Sequence, residues 1–219
     1  AGYMGNYARA FLSQQDVKQG DRVRLRLINA ATNRIFSTFV SGVTGSVVAL
    51  DGMALSQPRL LTELVLAPAQ RADLVVDING PVGFDMVTRQ GPYRLADLAV
   101  SGTNTDREAG PIPALTPPNL PLPGDPTQHL TLTMMGGAMG GRHEGDNIWA
   151  FNNISGMHSE PFGSFKNGET ARITLTNGTS FPHGIHLHGH HFYEVDEEGV
   201  LGNLRDTTLV NAGESRDIV

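Results

Sequence analysis

Apolar and polar residues alternate with a period of two over short stretches of this chain, the pattern of strands with one buried face. The clearest instance is Val17-Lys18-Gln19-Gly20-Asp21-Arg22-Val23-Arg24-Leu25-Arg26-Leu27-Ile28-Asn29. A glycine turn leads into Val23, Leu25 and Leu27 on one face, with arginines on the other. The same phrase returns at an offset of 148 as Phe165-Lys166-Asn167-Gly168-Glu169-Thr170-Ala171-Arg172-Ile173-Thr174-Leu175-Thr176-Asn177. Lysine, glycine, acid, arginine, aliphatic alternation and the closing asparagine are all kept. A second pair, Leu66-Ala67-Pro68-Ala69-Gln70-Arg71-Ala72-Asp73-Leu74-Val75 and Val210-Asn211-Ala212-Gly213-Glu214-Ser215-Arg216-Asp217-Ile218-Val219, repeats at an offset of 144. Repeats about 150 residues apart are domain duplications rather than solenoid units. Two tandem β domains are therefore expected, over 1–102 and 128–219. Between them, residues 103–127 hold seven of the 13 prolines and little periodicity, which predicts an extended Pro-rich linker.

Composition narrows the function classes without choosing one. With 219 residues the chain can bury two real cores, and its 26 glycines favour turn-rich β structure. The net charge of −6 is spread without a basic block, so neither nucleic acid nor an anionic membrane surface is an expected partner. No run of 18 apolar residues suits a spanning helix, and the N-terminus does not read as a signal peptide. Zero cysteine rules out thiolate ligands from within these residues.

The chemistry is concentrated in Phe181-Pro182-His183-Gly184-Ile185-His186-Leu187-His188-Gly189-His190-His191-Phe192, five of the chain's eight histidines in nine residues, whereas residues 1–128 contain none. A lone histidine on a strand is usually a surface or satisfied core residue. Five, interleaved with Ile185, Leu187 and Phe192, point to a metal site. On a continuous strand His186, His188 and His190 would share one face and His183 the other, so one segment could serve two centres. At the offset of 148, His183, His186, His188 and His190 map onto Ile35, Thr38, Val40 and Gly42. The first domain is thus expected to build the same strand without imidazole.

The segment His183-x-x-His186-Leu187-His188-Gly189-His190-x-Phe192 resembles the last-domain signature of multicopper oxidases, with Gly184 where proline is common. Ile148-Trp149-Ala150-Phe151-Asn152 and Leu204-Arg205-Asp206-Thr207-Thr208-Leu209-Val210 resemble bacterial, laccase-like members. Residues 15–102, including Leu50-Asp51-Gly52, are similar to the family's middle domain. The resemblance implies two tandem cupredoxin-like Greek-key β-sandwich domains and a copper cofactor. It implies that His183 is a ligand of the mononuclear blue (type 1) copper, His186 of the type 2 copper and His188 of the type 3 pair. His190 and His191 would be supporting or packing residues. It further implies dioxygen and a reducing substrate (phenol, aromatic amine or metal ion) as partners, and a periplasmic or secreted location.

The family's Cys-containing HCHxxxH segment and its first-domain histidine pairs have no counterpart here. A blue site needs the thiolate. The chain is accordingly expected to be a middle-plus-last-domain piece of a longer oxidase, inactive alone. Two readings from other classes compete: a non-catalytic cupredoxin scaffold or copper-binding protein, and a cupin-like mononuclear metal enzyme using His186, His188 and Glu194. Weaker signals are the run Met134 to His143 as a copper(I) thioether site or a packed loop, Asp206 as a group that orients a blue-site ligand or guides substrate or, more simply, as a surface pair with Arg205, and glycosylation sequons at Asn153 and Asn177.

Overall fold

A computed structural model describes residues 7–13, 16–104, 106–107, 110–137, 149–156 and 159–219. Among them there is no helix, and the chain divides into two compact units, Ala1–Pro118 and Asn119–Val219. The division falls inside the proline-rich segment. Its first part is fastened to the first unit rather than free. Asn104 donates its N–H to the Gln19 carbonyl, and the Arg22 guanidinium donates to the carbonyls of Gly110 and Pro111.

In the first unit the strands are β1 (Val17–Gln19), β2 (Arg22–Ile28), β3 (Phe36–Leu50), β4 (Met53–Leu60), β5 (Leu64–Leu66), β6 (Arg71–Thr88), β7 (Gly91–Leu98) and β8 (Val100–Thr103). The order β2-β6-β3-β4 forms the main sheet, with β5 on β3 and β7 on β6, while β1 pairs with β8 in parallel. Two long strands organise it. β6 gives its first half to β2 and its second half to β7, and β3 gives its start to β5 and its end to β4. Both must bend between these duties. The bend coincides with a register shift at Ser41/Val43, where Gly42 has φ +77° and an added Cβ would lie 1.9 Å from the Pro81 carbonyl oxygen. Only glycine fits there, and Pro81, unable to donate to a ladder, sits where pairing is already interrupted. The hairpin from β3 to β4 turns on Asp51-Gly52, both at positive φ as a type I′ turn requires. Val47, Leu74, Val76 and Ile78 are fully buried at the centre of the core.

In the second unit the strands are β9 (Gln128–Gly136), β10 (Trp149–Phe151), β11 (Ile154–Ser155), β12 (Ala171–Asn177), β13 (His183–His186), β14 (Phe192–Val195), β15 (Leu201–Arg205), β16 (Thr207–Val210) and β17 (Ser215–Ile218). Seven form one sheet in the order β11-β10-β9-β12-β17-β14-β15, and β13 pairs with β16 as a separate ribbon. Val210 of the ribbon belongs to a core with Met134, Leu175, Phe192 and Ile218, and Ile185 and Leu187 pack against it. The ribbon is therefore the second layer of this unit. Met134 is part of the core, so it packs rather than offering its thioether; residues 138–143 of that run lie outside the described residues.

The sequence repeat corresponds to a repeated hydrogen-bond hub. Asn29, at the end of β2, donates from Nδ2 to the carbonyls of Arg34 and Leu66 and accepts at Oδ1 from the Ala31 N–H. Asn177, at the end of β12, donates to the carbonyls of Phe181, Val210 and Asn211 and accepts from the Thr179 N–H. Their backbones repeat too: Ala69 N–H to Asn29 carbonyl matches Gly213 N–H to Asn177 carbonyl. Ala69 and Gly213 both carry positive φ. Arg24–Asp73 and Arg172–Asp217 are the same cross-strand ion pair in the two units. Asn177 is 1% exposed, so its sequon is closed to a glycan in the folded chain.

The hub also corrects the mapping of the histidines. Asn29 reaches the Arg34 carbonyl five residues on, whereas Asn177 reaches the Phe181 carbonyl four residues on, so the connection is one residue shorter in the second unit. Strand pairing agrees, since Phe36 faces Leu66 as His183 faces Val210. His183 thus stands at the place of Phe36, not Ile35, and His186 at that of Phe39, not Thr38. The first unit still carries no imidazole on this strand.

Two outcomes follow. Asn177→Ala leaves three carbonyls and one N–H of the second unit without their partner and should cost about 2–3 kcal/mol by denaturant unfolding of that unit; a loss within error of zero would show that the hub is dispensable. Asp77 receives two hydrogen bonds from the Arg22 guanidinium, at 2.7 and 2.9 Å, which hold its carboxyl below the usual carboxylate range. Its contribution is present above the unfolded value of about 3.9 and lost as pH falls through the lower folded value. The stability gap between the parent chain and Asp77→Asn should therefore close on acidification below about pH 4. A gap that is unchanged at about pH 2 would contradict the assignment.

Candidate metal centre

Strand β13 is only four residues long, and its brevity decides what the histidines can do. It starts at His183 and ends at His186, pairing His183 with Val210, Ile185 with Thr208 and His186 with Thr207. Alternation places His183 on the face of Ile185, which packs on the core, and His186 on the opposite face. The expected opposition of these two rings holds. The expected sharing of one strand face by His186, His188 and His190 does not. After His186 the chain leaves the ladder, turns at His188-Gly189 with Gly189 at φ +76°, and runs through His190 and His191, both exposed and in no strand. His188 still reaches His186, with ring centroids 4.9 Å apart at an interplanar angle of 53°.

Each ring on β13 is held by a network that spacing could not reveal. His183 places Nε2 2.9 Å from Thr179 Oγ1, and the edge-on Trp149 ring lies 4.9 Å away at 84°. Half-burial pushes its imidazole below the usual histidine range, which favours the neutral ring. His186 places Nδ1 3.0 Å from the Asp206 carbonyl and 2.9 Å from Thr207 Oγ1, with the Asp206 carboxylate 3.4 Å away. Asp206 is 8% exposed and Thr207 wholly buried, and the Thr207 hydroxyl donates to the Asp206 carboxylate. Asp206 is thus buried beside a histidine, as its reading as a ligand-orienting group expects, although the ring it meets is that of His186. Trp149 and Thr207 fall in segments that the sequence singles out, but their link to the histidines, like that of Thr179, could not be read there because it depends on β10, the Asn177 hub and β16.

Neutral imidazoles suit copper among the first-row metals. Among the described residues, no group of three or more His, Asp or Glu side chains converges on one point. The rings instead divide into His183 on one side of the strand and the His186–His188 pair on the other. Such an arrangement can contribute to two separate donor sets and does not by itself complete one. Glu194, the third member of the cupin-like alternative, sits in β14 and accepts a hydrogen bond from the Thr208 hydroxyl.

Comparison with known proteins gives a consistent result. Two sequence models of multicopper oxidase domains match, one over residues 2–106 and one over residues 123–219. The multicopper oxidase MmcO of Mycobacterium tuberculosis is 28% identical over 208 residues, covering 88% of this chain and 40% of that protein. The crystal structure of Lac15 from a marine microbial metagenome superposes with a TM-score of 0.84 at 49% identity, covering 98% of this chain and 53% of that one. A multi-copper oxidase from Pseudomonas thermotolerans superposes with a TM-score of 0.73 at 25% identity, covering 94% and 49%. The chain thus spans about half the length of these relatives or less. Matched across both of its units, and with the opposed histidines on the strand that carries the signature, the chain belongs to the multicopper oxidase family.

Proposed function

We propose that the chain is part of a copper-dependent oxidase that couples one-electron oxidation of a reducing substrate to reduction of dioxygen to water. The observation that carries this is the opposition of His183 to the His186–His188 pair across a single strand. In this reading His183 is a ligand of the mononuclear blue copper, His186 of the type 2 copper and His188 of the type 3 pair. Bound copper supplies the one-electron redox chemistry and the seat for dioxygen. The chain's own part is positional. β13 holds donors for two centres on its opposite faces, and Ile185, between them, packs against the core and anchors the strand.

With no cysteine in these residues, the blue-site thiolate and the remaining imidazoles come from outside them, and the 219 residues alone do not turn over. The reducing substrate is a phenol, an aromatic amine or a metal ion, and the complete oxidase acts in the periplasm or outside the cell. Among the described residues no helix is long and apolar enough to cross a membrane.

Titrating the 219-residue chain with copper(II) should give binding that falls by roughly tenfold or more in His186→Ala and in His188→Ala. It should give neither a thiolate charge-transfer band nor oxygen uptake with a phenolic reductant. Affinity unchanged by both substitutions would remove the type 2 and type 3 assignments. Oxidase turnover by this chain would overturn the division of the site.

A further inference from the structure

The hydroxyls of Thr179 and Thr207 each have more contacts than a single proton can serve, and counting donors fixes which nitrogen of each histidine is free. Around His183, Thr179 Oγ1 lies 2.7 Å from Asn177 Oδ1, 3.0 Å from the Phe181 carbonyl oxygen and 2.9 Å from His183 Nε2. It also accepts from the Phe181 N–H. The Asn177 amide is oriented by its own network, since Nδ2 faces three carbonyls and Oδ1 accepts from the Thr179 N–H. Two of the hydroxyl's neighbours are therefore pure acceptors. If its proton went to His183, both carbonyl oxygens would face oxygen lone pairs. The proton goes to a carbonyl instead, and Nε2–H of His183 donates to Thr179.

Around His186 the sense is fixed twice. The Asp206 carbonyl can only accept, so Nδ1 must carry the proton that meets it at 3.0 Å. Thr207 spends its proton on the Asp206 carboxylate and can only accept from the same Nδ1–H.

We propose that Thr179 and Thr207 are positioning residues that lock His183 and His186 in opposite tautomers, so that His183 offers Nδ1 and His186 offers Nε2 to metal. Neither threonine touches metal; each acts through the imidazole that it holds. The threonine at the start of each network is supplied by a different device of the fold. Thr179 sits two residues after the Asn177 hub, where the first unit has Ala31. Thr207 sits opposite His186 in the ribbon. The second unit has thus added a hydroxyl to the hub at the place where it added an imidazole to the strand.

The proposal rests on His183 and His186 being metal ligands, but its test does not require metal. Long-range proton–nitrogen correlation spectra of the metal-free 219-residue chain, at a pH about two units above the ordinary histidine value of roughly 6.5, read each ring's tautomer directly. His183 should appear as the Nε2–H form and His186 as the Nδ1–H form. Thr179→Val should return His183 toward a mixture while leaving His186 unchanged, and Thr179→Ser should restore the parent pattern. Thr207→Val should weaken the His186 preference only partly, because the Asp206 carbonyl remains. His183 in the Nδ1–H form, or a His183 tautomer indifferent to Thr179→Val in a chain with otherwise native spectra, would overturn the proposal. A second arm adds zinc(II) as a spin-silent probe. Opposite tautomers with no metal-induced shift at either ring would leave the positioning intact and refute the ligand assignment, so the two failures are distinct.

Discussion

A buried asparagine at the end of a strand is the constraint on which both units depend. Asn29 and Asn177 each join three things that the chain separates widely: the end of their own strand, the loop that follows, and the strand arriving from 37 or 33 residues later. A hydrophobic side chain could fill the same space but could not satisfy the carbonyls that converge there, and unpaired buried carbonyls are costly. The hub therefore fixes where the next strand may begin. In the second unit that next strand is β13, so the position of His183 is set by Asn177 before any metal is considered.

This explains why so much of the architecture could be read in the sequence. The closing asparagine, the arginine of β2 and β12, and the acid of β6 and β17 recur because each makes the same bond in both units. The repeat was legible as letters because it is a repeat of interactions. What escaped was the length of the loop between hub and strand. A single missing residue leaves no mark in a composition or a periodicity, yet it moved the correspondence from Ile35 to Phe36. The proline-rich segment shows a similar limit, because prolines advertise extended backbone and say nothing of an arginine that captures two of its carbonyls.

The site was legible in its donors and illegible in its supports. Histidine count and parity gave the opposition of His183 and His186, since parity survives over a strand of four residues. It fails at His188 and His190, where the chain turns at Gly189 and side-chain direction no longer follows a period of two. The groups that orient the rings come from β10, β16 and the hub loop, and only tertiary pairing brings them near. Asp206 illustrates the difference: the sequence leaves it between orienting a ligand, guiding substrate and pairing with Arg205, and its burial beside His186 follows from its place at the entry to β16.

The pairing of the ribbon, rather than the length of the connection before it, acts as a selector. That connection is one residue longer in the first unit, yet Phe36 keeps the pairing place that His183 holds, so the loop absorbs a change of length without moving the strand. Side chains on a strand can face only two ways, and a slip of the ribbon by one step would present outward the ring now on the core side and draw its neighbour in. Register against Thr207 and Val210, not histidine identity, therefore assigns each ring to its side of the strand.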